Sequence, residues 1–87
     1  MPDAVTAKWL VKIAAFVAAF PTMPQAQRDD IGVAMTIETP AAAVAYSVRT
    51  IRNHRERATV QATLPTITTE DFAVAAGQIR DAAERLG

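Results

Sequence analysis

Apolar positions crowd the first quarter of the chain and then thin into shorter periodic runs. Residues Ala4 to Phe20 read AVTAKWLVKIAAFVAAF, with neither Gly nor Pro. At about 100° per residue, Val5, Trp9, Leu10, Ile13, Phe16, Val17 and Phe20 share one side of a helix with Thr6. The other side carries Ala4, Ala7, Ala14, Ala15, Ala18 and Ala19, with Val11, Lys8 and Lys12. One face is large and apolar, the other small and lightly charged. The pattern predicts a central helix around which later segments pack. Asp3 is placed to cap its start, because a carboxylate accepts from the free amides of a first turn. Pro21 ends it by removing a donor and disfavouring helical angles at Phe20.

Residues 22–40 read two ways. As a helix from Pro24 to about Met35, Pro24 sits in the first turn and Ile31, Ala34 and Met35 face inward. As a strand, Ile31, Val33, Met35 and Ile37 alternate with Gly32, Ala34, Thr36 and Glu38. The helix is preferred because a lone strand needs a partner, and the one other candidate is Ala58 to Leu64. Thr39-Pro40 is a helix start, with Thr as cap and Pro in the first position. The helix it opens is expected to run from Ala41 to about Arg57, with Ala41, Val44, Ala45, Val48, Ile51 and Ala58 as its apolar stripe. After Leu64-Pro65, Thr68 to Asp71 form a capping signal. The last helix carries Phe72, Ala75, Ala76, Ile79, Ala82, Ala83 and Leu86 in one arc, with outer pairs Arg80–Glu84 and Asp81–Arg85 at i,i+4. The expected fold is all-α, a small four-helix single domain over residues 1–87. An α/β domain with a two-stranded βαβ-like unit is the alternative.

Composition supports the helical reading. Hydrophobic residues make up 51% of 87 residues, and much of that is Ala, the best helix former. Aromatics are 6%, and Trp9, Phe16 and Phe20 lie in the opening helix, which places the core there. The net charge is zero, so nucleic-acid binding needs a local patch, and little opposes self-association. The uncharged run Ile13–Phe20 is shorter than the ~20 residues of a bilayer span. The expectation is a cytoplasmic protein with no membrane role.

Several chemistries fall away. There is no Cys and one His, and no further ligands at set spacing surround His54, so a structural zinc site is not expected. No Gly-rich phosphate loop exists, because the three glycines are scattered. Ser47 and His54 lie seven residues apart on one helix and could face the same way, and they are read as surface polar residues beside an Arg cluster. No enzyme activity, catalytic residue, metal or cofactor is expected.

The sharpest stretch is Ser47 to Arg57, SVRTIRNHRER, which holds four Arg against one Glu. On a continuous helix, Arg49, Arg52, Asn53, Glu56 and Arg57 form one polar arc, and Arg55 intrudes at the edge of the apolar stripe. Arg and Asn on an exposed helix read guanine and adenine edges. The string Ser47 to Arg52, with Ile37, Ala41 and Ala43 before it, resembles the MerR-type helix-turn-helix, in which Ser caps the recognition helix. Thr69-Glu70-Asp71-Phe72 is similar to the helix start that follows the wing in that family. The resemblance covers residues 37–57 and 69–72. It departs from the family at Ala45, where the turn Gly is expected, and at Pro40, inside the first helix of the motif. It implies DNA binding, with Arg49, Arg52 and Asn53 at base edges and Arg55 or Arg57 at phosphate. The preferred function is a non-enzymatic interaction module that binds another protein through Arg49, Arg52, Asn53, Arg55 and Arg57, with self-association as a further expectation. A DNA-binding regulator using the same face is the alternative.

Overall fold

The computed structural model describes residues 2–34 and 36–86. The protein is all-α. Among the described residues five α-helices follow one another: α1 Pro2–Ala19, α2 Gln25–Ala34, α3 Pro40–Arg49, α4 His54–Thr63 and α5 Phe72–Leu86. A short 3-10 turn, Phe20–Thr22, follows α1. There are no strands among these residues, so the βαβ alternative is overturned. Residues 25–34 are helical, and 58–63 lie inside α4. Met35, expected on the inner face of α2, lies outside the described residues.

The first and last helices form the body of the fold. Phe20 stacks on Phe72 at 5.7 Å, and at the other end Ala4, Ala7 and Val11 face Arg80, Ala83 and Glu84 across a shallow recess. The two helices therefore run antiparallel. Leu10, Ile13, Ala14 and Val17 of α1 and Ala75, Ala76, Ile79, Ala82 and Ala83 of α5 are buried together. The small Ala side chains of α5 let the backbones approach closely, and its buried face is the arc expected from the sequence. The buried face of α1 is rotated from expectation. Ala14 is fully enclosed, whereas Val5 is 41% exposed. Ile13 and Phe20 are buried as expected, but Trp9, Phe16 and Phe72 are half-buried. An aromatic row holds the flank: Tyr46 stacks on Phe16 at 5.7 Å, and Phe16 meets Phe20 at 5.9 Å.

Residues Asp3–Thr22 form a helix long and apolar enough to cross a membrane by length and composition, with mean hydropathy 1.5. In this fold 33% of that window is buried, against α5 and α3.

Two starts differ from expectation. Helix α1 begins at Pro2, so Asp3 lies in the first turn, where its charge faces the positive end of the helix dipole. Helix α5 begins at Phe72 rather than near Thr68. The Thr69 hydroxyl accepts from Asp71 N at 3.1 Å, and Asp71 Oδ1 caps the helix by accepting from Val74 N at 3.0 Å. Thr39 caps α3 as expected, accepting from Ala42 N at 3.2 Å.

The largest correction concerns the helix expected over residues 41–57. It breaks at Thr50, so the domain has five helices rather than four. The Thr50 hydroxyl donates to the Ser47 carbonyl at 2.6 Å, and the amides of Thr50 and Ile51 reach back only three residues, to Ser47 and Val48. Side chains of this kind compete with the helical ladder. Ile51 drops fully into the core, and Asn53 starts a new helix with its Oδ1 accepting from Arg55 N and Glu56 N, both at 3.0 Å. The expected stripe of α3 is also shifted. Val44 and Val48 are buried with Ala43, while Ala41, Ala45 and, in α4, Ala58 are exposed.

Candidate functional site

The five residues singled out from the sequence stand around the corner between α3 and α4, not along one helix. Arg49 ends α3, Arg52 and Asn53 lie in the connection, and Arg55 and Arg57 fall in the first turns of α4. The continuous polar arc is therefore broken into three short pieces.

Two of the five hold the corner together. Asn53 is the cap just described. Arg57 donates from Nη1 to the Ile51 carbonyl at 3.1 Å, and its Nη2 lies 2.6 Å from His54 Nδ1. Arginine only donates, so the contact forms with His54 Nδ1 as the acceptor. Glu56 faces inward and accepts from Trp9 Nε1 at 2.8 Å, which ties α4 to α1. Lys12 lies 5.0 Å from the centroid of the same indole. The Arg52–Glu56 pair expected on the outer face therefore does not form. Arg49, Arg52 and Arg55 remain exposed, and among the described residues none of their guanidinium groups has a partner. The outer pairs expected on α5 are absent as well. Arg85 donates instead to the Asp81 carbonyl at 3.4 Å.

Beside this corner runs a groove that periodicity alone did not reveal. Ala41, Ala45 and Arg49, successive at i,i+4, form its exposed ridge. Val44 and Val48 form the floor, and Gln61, Leu64, Pro65 and Ile67 the facing wall, around a cavity of about 460 Å³. The ridge from Ala41 to Arg49 is ~12 Å long at the helical rise per residue. Among the described residues Arg49 is the one charged side chain lining it. The alternation of exposed Ala41 and Ala45 with buried Val44 and Val48 was the available signal.

The charge is divided unevenly. Residues 49–57 hold four of the nine Lys and Arg but one of the nine Asp and Glu, so they carry +3 and the remainder −3. Among the described residues no group of three or more His, Asp or Glu is placed to hold a metal ion. The site thus defines a helical domain with a cationic corner beside an apolar groove. No protein-family model matches the chain, and no curated protein or solved structure matches it.

Proposed function

We propose that this chain is a small, non-enzymatic interaction module that binds another protein through the α3–α4 corner. The observation that supports the reading is Arg49 at the edge of the apolar groove of α3, in a corner that also carries Arg52 and Arg55, all three guanidinium groups without a partner among the described residues. An amphipathic helix fits both halves. Its apolar side chains enter the groove against Val44, Val48, Leu64 and Ile67, and a carboxylate at its edge meets Arg49. The small Ala41 and Ala45 let its backbone come close. Arginine suits this role because its planar fork binds a carboxylate with two parallel hydrogen bonds.

A second reading, DNA binding, has one observation in its favour. Two helices of 10 residues, α3 and α4, are joined by the short connection 50–53, as in a helix-turn-helix. The exposed face of α4 carries His54, Arg55, Thr59 and Gln61. In this arrangement α4 rather than Ser47–Arg52 enters the groove of DNA, since Ser47 lies within α3. Asn53 and Arg57 are then structural, and Arg49 and Arg52 meet phosphate.

Fluorescence anisotropy separates the two. The probe is a labelled peptide with Leu at helical spacing and Glu between, and the competitor is mixed-sequence duplex DNA, both at low salt. The expected result is saturable peptide binding, weakened at least tenfold by replacing Arg49, Arg52 and Arg55 with Gln, and unaffected by duplex. Duplex that binds at tens of micromolar protein and displaces the peptide supports the DNA reading. Even non-specific DNA binders reach Kd of about 10⁻⁴–10⁻⁶ M at physiological salt.

A further inference from the structure

Helix α2 is attached to the fold by little beyond its two ends. Among the described residues it makes only sparse contact with the other helices. On one side it overhangs a recess of about 500 Å³, which it shares with Phe20, Ile37 and Glu38. On the other lies a second recess of about 320 Å³, lined by Met23, Gln27, Asp30 and Ile31. Ile31 lines both recesses and is half-buried, so it is the anchor on which α2 rests. The side-chain hydrogen bonds of α2 are internal to it. Gln25 Nε2 donates to Asp29 at 2.7 Å and Arg28 Nη2 donates to Gln25 at 3.0 Å, so both bonds travel with the helix. Arg28 Nε is buried without a partner among the described residues. The closed position bears the cost of that bare donor, and release into water removes it.

The helix is also weak in itself. It has 10 residues, and isolated helices shorter than about 12–15 residues are marginal in water. Gly32 stands in its interior, where only Pro is costlier. Pro24 occupies the capping position, its carbonyl accepting from Arg28 N at 3.1 Å. A Pro side chain has no oxygen to offer the free amides of the first turn. The chain is not helical on either side. Met23 is extended, with φ −64° and ψ 140°, and residues 36–38 have no regular structure. What lies beneath does not depend on α2. Phe20 stacks on Phe72 and meets Phe16, and the facing sides of α1 and α5 are buried against each other.

We propose that α2 is a lid on the Phe20 end of the fold, which opens as one unit while α1 and α5 stay packed. Opening uncovers Phe20 and Ile37 without parting Phe20 from Phe72. The hinges are Met23 on one side and residues 36–38 on the other. Release breaks the Ile31 contact and leaves the core intact, so it requires far less free energy than global unfolding. The balance between closed and open forms is set at two places. Ile31 holds the lid down, and Pro24 leaves its first turn without a side-chain cap.

Amide hydrogen exchange of the full chain, followed by NMR without urea and at low urea, tests the proposal. The amides of residues 28–34 are expected to share one opening constant. It should exceed that of the enclosed α5 residues Ala76 and Ile79 by roughly a hundredfold or more. Low urea is expected to leave the α2 constant nearly unchanged and to raise that of α5, because the effect of urea scales with the surface that opening exposes. Ile31→Ala is expected to raise opening of α2 about tenfold, through the apolar contact it removes. Pro24→Ser supplies a capping oxygen and is expected to lower opening about fivefold. Both variants are expected to leave exchange in α5 unchanged. The proposal is overturned if the α2 amides share the opening constant and urea dependence of α5. It is overturned equally by protection that grades from one end of α2 to the other, which is fraying, or by variants that shift α5 as much as α2.

Discussion

Helices α4 and α5 are both attached to α1, but by different means. Helix α5 buries Ala75, Ala76, Ile79, Ala82 and Ala83 along its length. Helix α4 buries Val60 alone, and is otherwise fixed by polar tethers from Glu56 to Trp9 and from Arg57 to the Ile51 carbonyl. A helix held by an apolar stripe leaves its outer face unconstrained in chemistry. A helix held by two hydrogen bonds and one valine is more easily released. The contrast teaches where stability and recognition are divided. The α1–α5 pair supplies most of the core, and the α3–α4 corner carries Arg49, Arg52 and Arg55, which have no partner among the described residues.

The comparison is broken most directly by Ile79→Ala. Ile79 is fully enclosed, so the truncation is expected to cost about 2–5 kcal/mol, a large part of what a domain of this size has. Urea denaturation followed by circular dichroism measures it. A loss below about 1 kcal/mol means that α5 is not the main support of α1.

Asn53→Ala removes the cap of α4 and is expected to cost about 0.5–2 kcal/mol. Its signature is local. Hydrogen exchange is expected to speed up in residues 54–63 while amides of α1 and α5 keep their protection. Uniform loss of protection would mean that α4 and the core open as one unit.

Trp9→Phe keeps a ring against the core but leaves the half-buried Glu56 without its donor. A cost of about 1 kcal/mol is expected, set by that hydrogen bond and moderated by partial exposure. A change in fluorescence cannot report this variant, so thermal melting by circular dichroism is the readout. Melting at the parental temperature would show that the tether contributes nothing.

Gly77→Ala is expected to go the other way. Gly77 lies on the outer side of α5, and a Cβ there meets no atom within 4 Å. The substitution is expected to stabilise by about 0.5–1 kcal/mol, because Gly is the costlier residue in a helix interior. The smallest effect is expected from Arg52→Gln. Arg52 is exposed and unpartnered, so its removal should change stability by no more than about 0.5 kcal/mol.

The same division explains what the sequence made legible. The 3.6-residue rhythm of α5 is complete, so its buried arc was readable residue by residue. Helix α1 was readable as an element, but its alanines disguised which face turns inward. Ala14 and Val5 exchanged roles because the neighbour on that side, α5, is itself built of alanine. The break at Thr50 was hidden because Arg49, Arg52 and Arg55 continue a plausible polar face across it. The signal was present in Asn53 and Glu56, a capping residue with an acid three positions on. The clustering of Arg49, Arg52, Arg55 and Arg57 was legible in the sequence. The division of the candidate residues into supports, Asn53 and Arg57, and free cations, Arg49, Arg52 and Arg55, was not. That division depends on Ile51 turning into the core and on the Trp9–Glu56 contact, and sequence periodicity carries no information about partners so far apart in the chain.

The antiparallel contact of α1 with α5 also has a consequence for how the chain is made. Residues 21–71 separate Phe20 from its stacking partner Phe72, so the principal interface closes a long loop late. During synthesis the large apolar side of α1 emerges before residues 72–86, which supply its main cover. The interval is a window in which a chaperone competes with self-aggregation for that surface. The entropy of closing the loop grows only slowly with its length, so residues inserted in the connection 64–71 should delay the closure more than they weaken the finished fold.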